Sequence, residues 1–424
     1  MLGRTITALG ITQIVGWGTT YYSSAVLFTG MAADTGWSIT LAYGAFSWAM
    51  LVSGLVSRRM GVLVERHGER RVMTLGSLGI TLGLLAVAAA QHPVHLVAAW
   101  TLLGLAMRAS LYETAFSALA RLAGAGARRA ISMVTLYGGL ASSVFWPLGH
   151  WMVAHWGWRG SFAAYAVLNL LICVPLHRLC LQAHPGAAPA AGTAPPAAGT
   201  TPPTARTAPP ASAVTAPAPT PEPAILEGPM RDRALMVLSG LLAAHSFVFG
   251  ALSAHMLTLL QSLGLAAAAA VTLASVKGVA QVGARFAELS LQRHLGPISV
   301  GMISTGLLPL GLLVMDFGAP QVMVVTAGCL IYGASNGLIT IVRGTVSLQL
   351  FGHAGYAATL GRIAAPGLIA GALAPMAYAA LIERFGNAVG LEVLTGVSLL
   401  GFAGMYWLAR LQKRSLRNTD TSAR

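Results

Sequence analysis

Lys277, Gln281 and Arg285 interrupt an otherwise apolar run at spacing i, i+4, i+8. A helix sets residues so spaced on one face. In a membrane each such charge is expensive, and it is by default a candidate for function. Lys277 falls near the middle of its run and Arg285 nearer one end. A guanidinium holds a carboxylate through two parallel hydrogen bonds, which an ammonium cannot do. The stripe therefore suits an anion in a central cavity; the plainer reading has Arg285 reaching along its stem to the interface. Arg108 and Glu113 interrupt a second run, as a buried ion pair, cavity charges or a gate. Asn336 and Arg343 sit at similar depths in a later run, and Tyr21, Tyr22 and Asn169 could line a cavity. His245 and His255 lie in one run and are the proton-carrier candidates together with Glu113, because imidazole titrates near neutrality; a buried histidine is more often a helix-packing group. Other chemistries are missing from the chain. It has no G-x-x-x-x-G-K-[ST] phosphate loop, no H-E-x-x-H zinc pair and no G-x-S-x-G elbow. Cys173, Cys180 and Cys329 lack metal-ligand spacing. The expectation is a non-enzyme without cofactor or metal.

The elements that must position these residues follow from composition. Hydrophobic residues make up 55% of the chain and charged ones 9%, too few to cover a soluble domain of 424 residues. The formal charge of +14 does not gather on one stripe, as a nucleic-acid binder would require. It falls in the gaps between apolar runs long enough to span a bilayer. Twelve such runs are expected: 7–31, 38–60, 72–91, 94–120, 130–154 and 159–180, then 233–261, 265–289, 297–316, 321–350, 356–382 and 388–410. The first, after Arg4, is too long for the apolar core of a signal peptide and is expected to be a span. Residues 183–229 are rich in Pro, Ala and Thr and nearly free of large apolar residues, which predicts a disordered linker. The organisation is a six-helix bundle (1–182), the linker, a second bundle (230–412) and a tail (413–424). Arginines crowd every second gap: Arg58, Arg59, Arg66, Arg70 and Arg71; Arg121, Arg128 and Arg129; Arg293; and Lys413, Arg414 and Arg417 beyond the last run. Excess Arg and Lys marks cytoplasmic loops, so both termini and the linker are expected on that side.

The densest of these gaps, GVLVERHGERRVM at 61–73, holds Gly61, Glu65, Arg66, Gly68, Glu69, Arg70 and Arg71. Its pattern G-x-L-x-E-R-x-G-x-R-R resembles the signature loop of the major facilitator superfamily, with Glu65 where Asp is usual and Glu69 where a basic residue is usual. The resemblance implies two six-helix bundles related as pseudo-repeats. It also implies that this loop latches the bundles at the cytoplasmic face. Gln292, Arg293 and His294 echo Glu65, Arg66 and His67 at the end of the eighth run. TGWS (35–38), ARRA (127–130), GGLASSVFWPLG (138–149) and GWRGSF (157–162) are similar to the monocarboxylate-transporter branch. In QVGAR (281–285), Arg285 matches that branch's transport-path arginine, whereas Gln281 replaces its acid.

The expected protein is an all-α, twelve-span secondary transporter, a monomer in a bacterial inner membrane, moving a small organic anion with a proton by alternating access. Lys277, Gln281, Arg285 and Arg108 are the expected substrate contacts. Proton-coupled efflux of a drug-like or metabolite molecule is the alternative. A membrane sensor is a third reading, although the segments outside the runs offer no output module.

Overall fold

The computed structural model describes residues 2–182 and 226–422, and these are helical throughout, without a strand. The first half has α1 (Leu2–Thr19, continuing as Ser24–Thr35), α2 (Ile39–His67), α3 (Glu69–Ala88), α4 (Pro93–Ser110 and Tyr112–Ala123), α5 (Ala127–Gly139, then 141–156) and α6 (158–180). The second half has α7 (Gly228–Ser262), α8 (Ala267–Leu291), α9 (Pro297–Phe317), α10 (Val322–Phe351), α11 (356–385) and α12 (387–422). Among the described residues seven helical stretches are long and apolar enough to cross a membrane, two of them running on through turns. The expected linker lies outside the described residues except at its end. There Leu226 is already buried, its amide donates to the Leu350 carbonyl at 3.2 Å, and α7 begins at Gly228.

Local chemistry sets these ends. Ser38 accepts from the Leu41 amide to open α2, and Pro93 stands in the first turn of α4, where its missing N–H leaves no bond unmade. α5 turns into α6 at Gly157 (φ 66°) and α11 into α12 at Gly386 (φ 84°), a backbone region that side chains disfavour.

The halves repeat each other in packing as well as in order. Gly104 of α4 lies against the backbone of Ala49 on α2, with 3.0 Å from its virtual Cβ to the Ala49 Cα. Gly333 of α10 lies in the same way against Lys277 of α8, again at 3.0 Å. Small residues let helix backbones approach where lipid supplies no hydrophobic drive. One core surrounds Phe28, Trp100 and Tyr165 in the first half, and another surrounds Tyr332 and Tyr378 in the second. A third crosses between them, joining Phe116 and Ile131 to Tyr356 and Leu360. It lies at the end of the molecule that carries the 61–73 turn, called here the basic end.

Candidate functional site

α8 carries the cationic stripe, and the structure gives its members unlike surroundings. Arg285 is 4% exposed. Its Nε donates to the Gly337 carbonyl at 3.2 Å, one terminal nitrogen to the Thr135 carbonyl at 3.1 Å, and the other to the Thr340 hydroxyl at 3.4 Å. Thr135 belongs to α5, so this guanidinium joins the two halves. Among the described residues no carboxylate lies within 4 Å of it. Lys277, one turn before Gln281 on the same face, is half-buried with Nζ 5.9 Å from the centroid of the Tyr332 ring. Gln281 is half-buried too, and its backbone packs on Gly337.

An aromatic wall faces this stripe from the first half. The Tyr112 hydroxyl donates to the same Thr135 carbonyl that Arg285 uses, at 3.4 Å. Trp17 stands 5.1 Å from the Tyr112 ring and 5.5 Å from Tyr21; Tyr21 contacts Tyr22 and Phe46. Tyr21 and Tyr22 are half-buried. A cation beside such rings can hold an organic anion by charge at one end and by apolar contact along its body.

Arg108 does not join the stripe. It is 3% exposed, donates to the Ser57 hydroxyl at 2.6 Å and stands 3.9 Å from Glu113. The other oxygen of Glu113 accepts from Arg343 of α10. One carboxylate, 7% exposed, thus serves two arginines and ties α4 to the second half. The break at Leu111, where α4 leaves helical geometry, sets Glu113 just beyond the kink.

The histidines divide. His245 is buried on α7; its Nε2 meets the Asn336 side-chain oxygen at 2.8 Å, while its Nδ1 has no hydrogen-bond partner. His255 is tied to the Pro375 carbonyl at 3.1 Å and packs on Tyr378. Asn169 bonds Thr19 and the Tyr165 carbonyl inside the first bundle and does not reach the central space.

At the basic end, Glu65 does not pair with its arginine neighbours. Its carboxylate crosses to the second half and accepts from the Ala358 amide at 2.9 Å, in the first turn of α11. An anion there satisfies an open N–H and opposes the positive end of the helix dipole. Arg66 and Arg71 are exposed and Arg70 is half-buried; none has an ion pair among the described residues. Glu69 turns inward to Arg121 (2.6 Å) and Ser117 (2.9 Å) within the first half. Gly61 lies under the Ala357 carbonyl and 2.9 Å, from its virtual Cβ, to the Ala358 Cα. Across the molecule α8 makes the counterpart seam with α5. Gln292 donates to Ser132 at 2.7 Å, and Glu288 pairs with Arg128 at 3.0 Å. Gln292 is the residue that echoes Glu65 in sequence, and both cross between halves at the same end.

The seam gives a first expected result. Glu65→Gln keeps the shape and removes the charge opposing the α11 dipole, which is worth about 0.3–1 kcal/mol at a helix N-terminus. The balance should shift toward a basic end that opens, with initial transport rates changed by roughly 2- to 5-fold at equal protein levels. Gly61→Val should do more, because its added atoms meet backbone. Normal rates in both variants would reduce the turn to an orientation signal.

Comparisons with known proteins agree with this architecture. The family model described as Major Facilitator Superfamily matches residues 9–375. No curated protein sequence matches the chain. Among solved structures, the crystal structure of the human organic anion transporter MFSD10 (TETRAN) superposes with a TM-score of 0.62 at 15% identity, covering 95% of this chain and 97% of that one. The chain belongs to the major facilitator superfamily, whose members are membrane transporters and not enzymes.

Proposed function

We propose that this superfamily member is a secondary transporter for a small organic anion, moved by alternating access around a site between the Arg285 stripe and the Trp17–Tyr21–Tyr22 wall. The single observation that carries the reading is Arg285. It is a buried, permanently charged group with no carboxylate partner among the described residues, placed where the two halves meet. A bare charge in a low-dielectric interior favours an entering counter-ion. Its hydrogen bond to the Thr135 carbonyl crosses between the halves, whereas the one to Gly337 stays within the second half. Exchange of the Thr135 carbonyl for a substrate carboxylate would couple binding to separation of α5 from α8. Lys277 sets the potential deeper in the site, and Gln281 offers a neutral hydrogen-bonding group. A monocarboxylate is the simplest substrate of this class. The likeness to the solved human organic anion transporter brings the fold alone.

His245 is the proton carrier in this reading, because its Nδ1 is buried without a partner beside the Asn336 contact. His255, bound to a backbone carbonyl, is a packing residue. The twelve rods each cross the bilayer, the basic end is cytoplasmic, and the linker at 183–229 joins the two bundles on that side. The chain acts as a monomer in a bacterial inner membrane. Single cysteines placed in 183–229 should react with an impermeant reagent only after cells are opened. Labelling in intact cells would invert the orientation.

A second reading, efflux of an apolar ring compound in exchange for protons, is favoured by the aromatic wall alone. Purified protein in proteoliposomes separates the two. A panel of labelled carboxylates should enter faster under an inward proton gradient, and none should do so if the wall recognises neutral or cationic rings instead.

A further inference from the structure

A groove of about 460 Å³ opens on the outer surface of the bundle where α2, α7 and α11 meet, away from the central site. It is lined by Leu235, Met236, Ala365 and Pro366, together with Arg58 of α2 and Arg362 of α11. The two arginines come from different halves, and their backbones touch: a Cβ on Gly361 would stand 3.4 Å from the Arg58 Cα. Both guanidiniums are exposed, and neither has a carboxylate within 4 Å among the described residues. Asp232 is exposed on α7 one turn before Met236 and pairs with neither. Arg58 lies nine residues inside the end of α2 and Arg362 six inside the start of α11. At 1.5 Å per residue that is about 14 Å and 9 Å from the helix ends. Ser239, 7% exposed, lines the groove with a hydroxyl that has no hydrogen-bond partner.

We propose that this groove binds one phospholipid of net negative headgroup from the leaflet at the basic end, its phosphate bridging Arg58 and Arg362. Two like charges held side by side across a seam repel, and a phosphate diester between them converts that repulsion into two charge-assisted contacts. Ser239 supplies a third donor from α7. The apolar walls take an acyl chain, which is why the occupant is a lipid and not a soluble anion. Because the phosphate is held by α2 and α11 together, it favours the arrangement in which the Gly61–Ala357 and Ser57–Gly361 contacts are closed. The proposal does not depend on which substrate is carried.

The test uses the full chain in nanodiscs of phosphatidylcholine with or without phosphatidylglycerol. Native mass spectrometry then counts the lipid retained after release into detergent, and unfolding is followed alongside. The intact chain should retain one phosphatidylglycerol and gain Tm from it. Arg58→Gln and Arg362→Gln should each weaken retention by roughly fivefold, the factor matching ~1 kcal/mol per basic residue near an anionic surface. The double variant should lose the retained lipid and the Tm gain while unfolding at the intact chain's Tm in phosphatidylcholine alone. Ser239→Ala, which touches no charge, should weaken retention in an unaltered fold. Equal retention by the double variant, or equal retention of phosphatidylcholine, would overturn the proposal. Equal protection by soluble glycerophosphate would overturn its lipid part.

Discussion

Arg285→Ala should abolish transport of the anionic substrate while the protein still inserts and purifies. Among the described residues the guanidinium is a buried cation with no carboxylate within 4 Å, so its removal takes away the charge that an incoming anion meets. It also takes a donor from the Gly337 carbonyl and one of two side-chain donors from the Thr135 carbonyl, which keeps the Tyr112 hydroxyl. That second effect complicates a loss of activity, and Arg285→Lys separates the two. Lysine restores the charge but cannot span two carbonyls and a hydroxyl with a planar fork. If Arg285 binds the anion, Lys should leave weak uptake with a raised KM and little change in the rate at saturation. If Arg285 only closes the seam, Lys should change the rate at saturation and leave KM alone. Lys277→Ala should have a smaller effect on both. Uptake into vesicles at matched protein levels gives these numbers. Wild-type kinetics in Arg285→Ala would sink the anion site and favour efflux of a neutral or cationic ring compound.

Much of the frame was legible because it depends on local composition. Apolar length, glycine punctuation and alternating arginine content are properties of short windows, and most helix ends fall within a few residues of the expected runs, although α2 runs on to His67 and α12 to Ser422. The α8 stripe was legible for the same reason, since one helix carries Lys277, Gln281 and Arg285 at a fixed spacing. Partners across the halves were not. Glu65 looked like a latch acid beside Arg66, but its partner is the Ala358 amide, a backbone group that no side-chain pattern advertises. Arg343 drew less weight than Arg108 although both meet Glu113, because their meeting depends on the packing of α4 against α10. Arg128 stands among loop cations in the sequence, and its partner Glu288 lies on a helix of the other half. An acid three residues after Arg285 in so poorly charged a helix was the available signal. Thr135 could not be found by residue type at all, since it contributes its carbonyl to both Arg285 and Tyr112.

Glu113→Gln should release the basic end. In the closed arrangement this carboxylate lies between Arg108 and Arg343, and neither arginine has another carboxylate among the described residues. Removing its charge leaves two guanidiniums facing each other in a buried place. Breaking a buried ion pair in this way is destabilising by about 3–5 kcal/mol, far more than an exposed pair at about 0–1 kcal/mol. Arg108 stays anchored by Ser57 in its own half, so the repulsion acts across the seam and opens it. Arg343 is the partner to remove next. Arg343→Met in the Glu113→Gln background takes away the facing charge and should recover much of the closed population, a coupling that a double-mutant cycle reads directly. The state is followed by a single cysteine at Ser132, buried at the seam beside Gln292, in a chain whose Cys173, Cys180 and Cys329 have been replaced. Its modification should be slow in the parent, fast in Glu113→Gln and intermediate in the double variant. Unchanged modification in Glu113→Gln would mean that the triad only braces α4, and the seam would then rest on Glu65, Glu288 and Arg285.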